Sequence, residues 1–124
     1  MYVGWMPPYE RSDAWKASHT LALELFKVTD RWPIRERYAL ASQARRAAFS
    51  VPANIVEGSC KKGRAEFRRY LNIALGSLGE LGYTIRFARD YGILAMSEWE
   101  RLNGLHDRAG KLLLGLYKSL RTDD

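Results

Sequence analysis

The stretch "FRRYLNIALGSLGELGYTIRFA", residues 67–88, carries the most regular apolar pattern in the chain. Its apolar residues recur at alternating steps of four and three, which is the spacing of a heptad seam on one side of an α-helix. The seam consists of Phe67, Leu71, Ala74, Leu78, Leu81, Ile85 and Ala88. Helices bury such a seam by packing against one another at shallow angles. The stretch therefore predicts a helix from about Arg64 to Tyr91 and Gly92, within a helical bundle.

A first helix is predicted ahead of this one, at residues 12–32. Ser12 or Asp13 can cap it, because a short oxygen-bearing side chain accepts a hydrogen bond from a free first-turn amide. Its apolar residues recur at helical spacing and are Trp15, Ala22, Leu25, Val28 and Trp32. Pro33 ends it, since the residue before a proline is disfavoured in helical angles.

A second helix is predicted at residues 36–57, with Gly58 as its stop. Its inner face is mostly small and consists of Ala41, Ala44, Ala48, Val51 and Ile55. Small residues let a neighbouring helix come close.

Three glycines interrupt the heptad stretch of residues 67–88, and each costs about 1 kcal/mol relative to alanine in a helix. We therefore expect close helix approach at Gly76, Gly79 and Gly82.

A fourth helix is predicted with Ser97 as its cap and Glu100 completing a capping box. Its apolar stripe is Leu102, Leu105, Ala109, Leu112 and Leu116. Helices of about 20 residues joined by short loops are neighbours in space and run antiparallel. The sequence therefore predicts an all-α, antiparallel up-down-up-down four-helix bundle over residues 12–124.

Residues 1–11 are expected to form a non-helical arm, because Pro7 and Pro8 disfavour a helix there. The arm lacks the basic start and long apolar centre of a secretory signal. Tyr2, Val3, Trp5 and Met6 are apolar side chains, which is unusual for an exposed tail. Two interpretations stay open: the arm docks on its own or a neighbouring subunit, or it is a free terminus.

Pro52 lies inside the predicted second helix, where a proline is unusual. It has no amide hydrogen to donate to the Ala48 carbonyl, so it is expected to bend the helix. The Ser50 hydroxyl or a water molecule would then serve that carbonyl. Asn54 and Glu57 follow on one side of the same helix.

Asn54 and Glu57 are expected to face Ser77 and Glu80 on the antiparallel third helix. A buried amide and a buried carboxylate need partners, or each costs several kcal/mol. The structural interpretation is that these groups tie the two helices together, and the functional alternative is a small polar site. The predicted polar cluster consists of Ser50, Asn54, Glu57, Ser77 and Glu80.

The composition is typical of one soluble globular domain, with 124 residues of which 47% are hydrophobic and 27% charged. The net charge of +6 favours anionic partners, whether nucleic acid, acidic protein or anionic lipid. The single cysteine, Cys60, excludes an intrachain disulfide and fits a reducing compartment. No segment approaches the roughly 18 apolar residues of a membrane span. We expect a cytoplasmic protein.

The densest positive run is "KKGRAEFRR", residues 61–69, with five basic residues against Glu66. It spans the joint between the second and third helices, so it lies at one end of the bundle. Basic side chains there can neutralise phosphates and release counterions, which gives sequence-independent, salt-sensitive binding. The candidate nucleic-acid-binding residues are Arg45, Arg46, Lys61, Lys62, Arg64, Arg68 and Arg69. The alternative is a solvated surface of ion pairs, in which Arg45 or Arg46 pairs with Glu57 or a neighbouring subunit.

Patterns typical of enzymes are missing from the sequence. His19 and His106 are far apart and neither follows a glutamate at the Glu-x-x-His spacing of di-metal bundles. Nucleophile elbows, phosphate loops and paired metal cysteines do not occur. We therefore predict no enzymatic activity, no catalytic residue, no metal and no cofactor. The rival is a small enzyme that uses Cys60 or the pair Asn54 and Glu57.

Two motifs resemble the signatures of a known family. Residues 42–58, "SQARRAAFSVPANIVEG", and residues 66–81, "EFRRYLNIALGSLGEL", resemble signatures of the four-helix-bundle family encoded within intervening sequences of bacterial 23S ribosomal RNA genes. Residues 14–40 are similar to the family's first helix and turn. The matching residues are Arg45, Arg46, Ser50, Pro52, Asn54, Glu57 and Gly58, followed by Tyr70, Leu71, Ala74, Leu75, Gly76, Ser77 and Glu80.

The resemblance implies an all-α bundle that assembles as a ring of five subunits. One relative, the accessory protein of diversity-generating retroelements, is a basic pentamer that partners a reverse transcriptase and binds nucleic acid. We therefore expect a non-enzymatic homopentamer, without a membrane partner, that binds RNA, DNA, a reverse transcriptase or another nucleoprotein through its basic surface. The alternative is a protein–protein adaptor ring without nucleic-acid binding.

Overall fold

The computed structural model describes residues 8–33, 35 and 38–121, which form a bundle of four α-helices. These helices are α1 (Asp13–Thr29), α2 (Tyr38–Ser59), α3 (Arg64–Tyr91) and α4 (Met96–Ser119). Each helix packs against the next, and α4 packs back against α1. No strand occurs in these described ranges. The predicted all-α four-helix bundle is confirmed.

The core lies along the bundle axis, where the apolar stripes of the four helices meet. The heptad seam of α3 faces it: six of its seven residues are buried, and only Phe67 is half-buried. The largest fully buried apolar side chains are Leu21, Leu25, Val28, Val51, Ile55, Leu71, Leu81, Leu102 and Leu113. Every helix thus contributes to one continuous core.

The predicted cap of α1 is present, and the helix ends earlier than expected. The Trp15 amide donates a hydrogen bond to Ser12 Oγ at 3.1 Å. At the other end, the Thr29 hydroxyl donates to the Leu25 carbonyl at 2.9 Å, and α1 ends at Thr29. Trp32 lies three residues beyond, yet it is only 7% exposed. The Trp32 side chain is therefore part of the core, although the residue lies beyond the end of α1.

Gly58 does not stop α2, which continues through it to Ser59. The sequence prediction was wrong here because this glycine has a packing role. An added Cβ at Gly58 would lie 2.7 Å from Tyr70 Cβ and 2.9 Å from Phe67 Cδ1. α2 and α3 therefore approach each other closely at Gly58.

The start of α4 also differs from the prediction. Its N-cap is Ala95, and Ser97 lies inside the first turn. The Ala95 amide donates to Glu98 Oε1 at 3.2 Å, so Glu98 takes the role assigned to Glu100. Alanine has no side-chain acceptor, and only the glutamate half of a capping box is therefore formed.

The glycines of α3 have different surroundings. An added Cβ at Gly82 would lie 2.8 Å from His106 Nε2, so α3 and α4 are close there. Gly76 and Gly79 have no described atom within 4 Å of an added Cβ, and the prediction of close approach is wrong at both. Gly92 ends α3 with a φ of 91°, a left-handed conformation that favours glycine.

Part of the N-terminal arm is helical rather than non-helical. Pro8–Arg11 forms one turn of 3-10 helix that contacts both α1 and α2. Residues 1–7, together with the docking considered for them, lie outside the described residues. None of the described helices is long and apolar enough to cross a membrane.

Candidate nucleic-acid interface

The joint between α2 and α3 carries exposed cations at one end of the bundle. Lys61 and Lys62 lie between the two helices and are exposed, and Arg64 begins α3. Arg64 Nη2 donates to the Ser119 carbonyl at 3.0 Å. This hydrogen bond places the end of α4 beside the joint.

Arg68, one helical turn after Arg64, stacks on an aromatic ring of α4. Its guanidinium carbon lies 3.9 Å from the centroid of the Tyr117 ring. Its Nε is buried and has no hydrogen-bond partner within the described structure. Stacking on the ring face therefore positions this cation, as guanidinium planes commonly do on aromatic rings.

Arg69 is the candidate in the 61–69 run whose charge is offset by a carboxylate. Its Nε lies 2.7 Å from Glu66 Oε1, one turn earlier on α3. The hydrogen bond from Arg69 lowers the pKa of Glu66, and the same bond raises the pKa of Arg69. Both groups are exposed to solvent, so the pair contributes little to stability. It does reduce the net positive charge of this end.

The structure adds two basic residues that the sequence analysis did not single out. Lys118 lies in the last turn of α4 and Arg121 follows the helix; both are exposed. The hydrogen bond between Arg64 and Ser119 brings this segment to the α2–α3 joint. We define the basic end as Lys61, Lys62, Arg64, Arg68, Lys118 and Arg121. The up-down topology was the signal that could have located the last two.

Arg45 and Arg46 do not extend this surface. They lie on the first half of α2, and Arg46 is about 20 Å along the helix from its C-terminus at a rise of ~1.5 Å per residue. Arg45 donates to Thr29 Oγ1 at 2.8 Å, pairs with Asp30 and lies over the Phe26 ring. It therefore fastens the end of α1 to α2.

Neither arginine pairs with Glu57, contrary to one sequence-based alternative. Arg46 donates to the side chain of Gln43 on its own helix. The Glu57 side chain is exposed, and its carboxylate forms no hydrogen bond or ion pair with any described residue. The seven candidate residues are thus divided between two separate regions of the bundle.

Three members of the predicted polar cluster meet between α2 and α3. Ser50 Oγ and Ser77 Oγ lie 2.7 Å apart. Asn54 Nδ2 donates to the Ser50 carbonyl at 2.8 Å and to Ser50 Oγ at 3.0 Å. The Ser50 hydroxyl therefore serves Ser77 and Asn54, rather than the Ala48 carbonyl opposite Pro52. These contacts support the structural interpretation of the three residues.

Glu57 and Glu80 lie outside this group because the helix register differs from the expected one. Ser50 is level with Ser77, and Gly58 is level with Tyr70. Glu57 is therefore about two turns away from Ser77 along the antiparallel pair. Glu80 instead accepts a hydrogen bond from Gln43. Asn54 and Glu57 consequently do not form a paired polar site.

The remaining candidates for chemistry are dispersed. The His19 ring stacks on Trp15 at a centroid distance of 4.8 Å. His106 Nε2 lies 2.7 Å from the Leu78 carbonyl, so it holds α4 against α3. Cys60 is exposed. Within the described ranges no three His, Cys, Asp or Glu residues are grouped as metal ligands.

Comparisons with known proteins place these features in a family context. A family model described as "23S rRNA-intervening sequence protein" matches residues 10–115. A crystal structure of a protein of unknown function from the S23 ribosomal protein family, from Bacteroides thetaiotaomicron VPI-5482, has a TM-score of 0.74 and 24% sequence identity. The match covers 85% of this chain and 98% of that one, and it shows the same fold. No curated protein sequence matches the chain significantly.

Proposed function

The chain belongs to the 23S rRNA-intervening sequence protein family, and we propose that it is a non-enzymatic homo-oligomer that binds nucleic acid or nucleoprotein through its basic end. The observation that carries this proposal is the charge arrangement there. Lys61, Lys62, Arg64 and Arg68 have no ion pair with a carboxylate of any described residue. Cations without such partners are available to phosphates.

The physical mechanism is charge neutralisation without bond chemistry. Each Lys or Arg that contacts a phosphate releases condensed counterions, so binding weakens steeply as the salt concentration rises. Arg68 stacks on the Tyr117 ring, and a base that is unpaired can stack in turn on a guanidinium plane held in this way. This combination favours single-stranded RNA or DNA, alone or within a nucleoprotein such as a reverse transcriptase complex.

Oligomerisation would repeat the basic end around a ring. An exposed aromatic ridge on α3, formed by Tyr83, Phe87 and Tyr91, supports contact between copies. The Phe87 ring packs between the other two, with centroid distances of 6.3 Å to Tyr83 and 5.7 Å to Tyr91. We propose a pentamer, as the family resemblance implies. Several linked basic ends raise avidity without any new contact.

An adaptor ring for an acidic protein is the second candidate, because the same unpaired cations would fit acidic side chains. Charge reversal distinguishes the possibilities when RNA, DNA and an acidic peptide are titrated in parallel. The variant K61E/K62E/R68E should lose nucleic-acid binding. The matched control, K27E/R35E/R46E, reverses three exposed cations in the opposite half of the bundle and should retain it.

Loss of RNA or DNA binding in the first variant alone supports a nucleic-acid interface at the basic end. If the wild-type protein ignores both nucleic acids at low salt but binds the acidic peptide, the adaptor function replaces the proposal. Equal losses in the two variants would contradict a localised interface.

A further inference from the structure

An apolar groove of about 310 Å³ runs along the outer surface of α1 and α2. One end of it, at Val56, lies near the basic end, but no residue of the basic end lines it. Its lining includes Leu23, Phe26, Phe49, Pro52, Ala53 and Val56. Phe49 is 65% exposed and Leu23 is 50% exposed, so large apolar side chains face solvent here. Contiguous apolar surface of this kind marks a contact site in soluble proteins.

The chain enters the bundle at one end of this groove. Tyr9 packs edge-on against Trp15 at 4.9 Å, and Trp15 stacks on His19 at 4.8 Å between ring centroids. All three side chains line the groove. The 3-10 helix Pro8–Arg11 contacts both α1 and α2. Residue 7 is therefore covalently attached at the mouth of the groove.

The preceding segment has the length and chemistry to fill it. From Trp15 to Phe26 the groove follows eleven residues of α1, which is about 16 Å at the helical rise. Seven extended residues reach about 23–25 Å. Pro7 and Pro8 favour an extended backbone at the attachment point. The segment can therefore cover the groove from end to end.

We propose that residues 1–7 of the same chain bind in the α1–α2 groove. The apolar side chains of Tyr2, Val3, Trp5 and Met6 match a lining with almost no polar surface. A charged or phosphate-bearing ligand would find no Lys, Arg, Asp or Glu side chain in this lining, and the His19 ring is already stacked on Trp15. Binding within one chain is favoured over binding between copies because the attachment point gives the segment a high effective concentration.

Docking of this segment has a consequence for assembly. It covers Leu23 and Phe49, whereas the aromatic ridge of α3 stays exposed. Contact between copies is then directed to the ridge rather than to the groove. The proposal concerns a face separate from the basic end, so its failure would leave the nucleic-acid proposal untouched, and the reverse is also true.

Cysteine cross-linking in the full-length protein tests the proposal. In a C60S background, V3C/A53C places one thiol on the segment and one in the groove. V3C/N103C is the matched control, because Asn103 is exposed on α4, diagonally across the bundle from α2. With a short bismaleimide, we expect an intrachain cross-link at about tenfold higher yield for A53C, since docking raises the effective concentration.

Two results would overturn the proposal. Equal yields in the two variants would show that the segment has no preference for the groove. A covalent dimer formed on mixing singly substituted V3C and A53C chains, without the intrachain product, would place the segment of a second copy in the groove. As an independent readout, deletion of residues 1–7 should increase binding of an apolar fluorescent dye, and F49S should reverse that increase. No increase on deletion counts against the proposal.

Discussion

At the scale of single residues, glycines of the same helical context have opposite roles. Gly58 is buried against Tyr70 and Phe67, whereas Gly79 faces open space. The sequence predicts the first as a helix stop and the second as a close contact, and both assignments are reversed in the structure. Residue type alone could not distinguish them, because the difference depends on which α3 side chains lie level with α2.

This contrast predicts the effects of two alanine substitutions. Gly58→Ala should destabilise the protein by about 1–3 kcal/mol, because the added methyl group overlaps Tyr70 Cβ and the packed backbone. Gly79→Ala should stabilise it by about 0.5–1 kcal/mol through helix propensity. Urea unfolding monitored by circular dichroism measures both. Similar effects of the two substitutions would contradict the assigned roles.

A second prediction at this scale concerns Glu66, whose charge offsets Arg69. The Arg69 bond lowers the pKa of Glu66, so the pair is intact above the ordinary carboxyl range and is lost as pH falls through the lowered pKa. Glu66→Gln removes the offset at all pH values. It should strengthen RNA or DNA binding and increase the salt slope by about one phosphate contact.

The control for this variant is Glu100→Gln, which makes the same charge change on an exposed residue near the start of α4. Fluorescence anisotropy titrations over a salt series provide the measurement. Equal strengthening of binding by both variants would indicate an effect of net charge alone. It would show that Arg69 does not contact the nucleic acid.

At the scale of elements, helix ends and helix register can be predicted from sequence only where the side chains are large enough to allow a single packing arrangement. The α3 seam predicted both ends of that helix, because its large apolar residues permit one buried face and Gly92 ends it. The register of α2 against α3 was mispredicted by about two turns. The inner face of α2 is mostly alanine, and residues as small as Ala44 and Ala48 fit several registers equally well.

The Ser50–Ser77 contact should contribute to fixing this register. Ser50→Ala removes bonds to both Ser77 and Asn54 and should cost about 1–2 kcal/mol, whereas Ser77→Ala removes one and should cost about 1 kcal/mol. Ser97→Ala is the control, since the cap predicted for Ser97 is not formed. Thermal unfolding reports the order of stabilities, and a loss at Ser97 as large as that at Ser50 would contradict this account.

At the scale of the whole molecule, the fold decides which charges act together. Lys118 and Arg121 are far from residues 61–68 in sequence, yet the bundle topology brings them to the same end. Arg45 and Arg46 are closer in sequence to that run and lie in the other half of the bundle. The candidate site was therefore predictable in its centre, at residues 61–68, and not in its extent.

The α3 ridge predicts how assembly should respond to substitution. Phe87→Asp places a charge among Tyr83 and Tyr91 and should dissociate the oligomer, because a buried unpaired carboxylate is costly. Multi-angle light scattering should give five times the 14.2 kDa chain mass for the wild type and a smaller mass for the variant. Asn103→Asp is the control. A wild-type monomer at micromolar concentration would contradict the pentamer.

The location of nucleic-acid contacts is the decisive test of binding through the basic end. Ultraviolet cross-linking of the wild-type protein to RNA and to single-stranded DNA, followed by peptide mass spectrometry, maps the residues in contact. We predict cross-links within residues 61–70 and 117–121, which contain Tyr70, Tyr117 and the cations of the basic end. Cross-links confined to the first half of α2 around Arg46, or to no peptide at low salt, would contradict the claim.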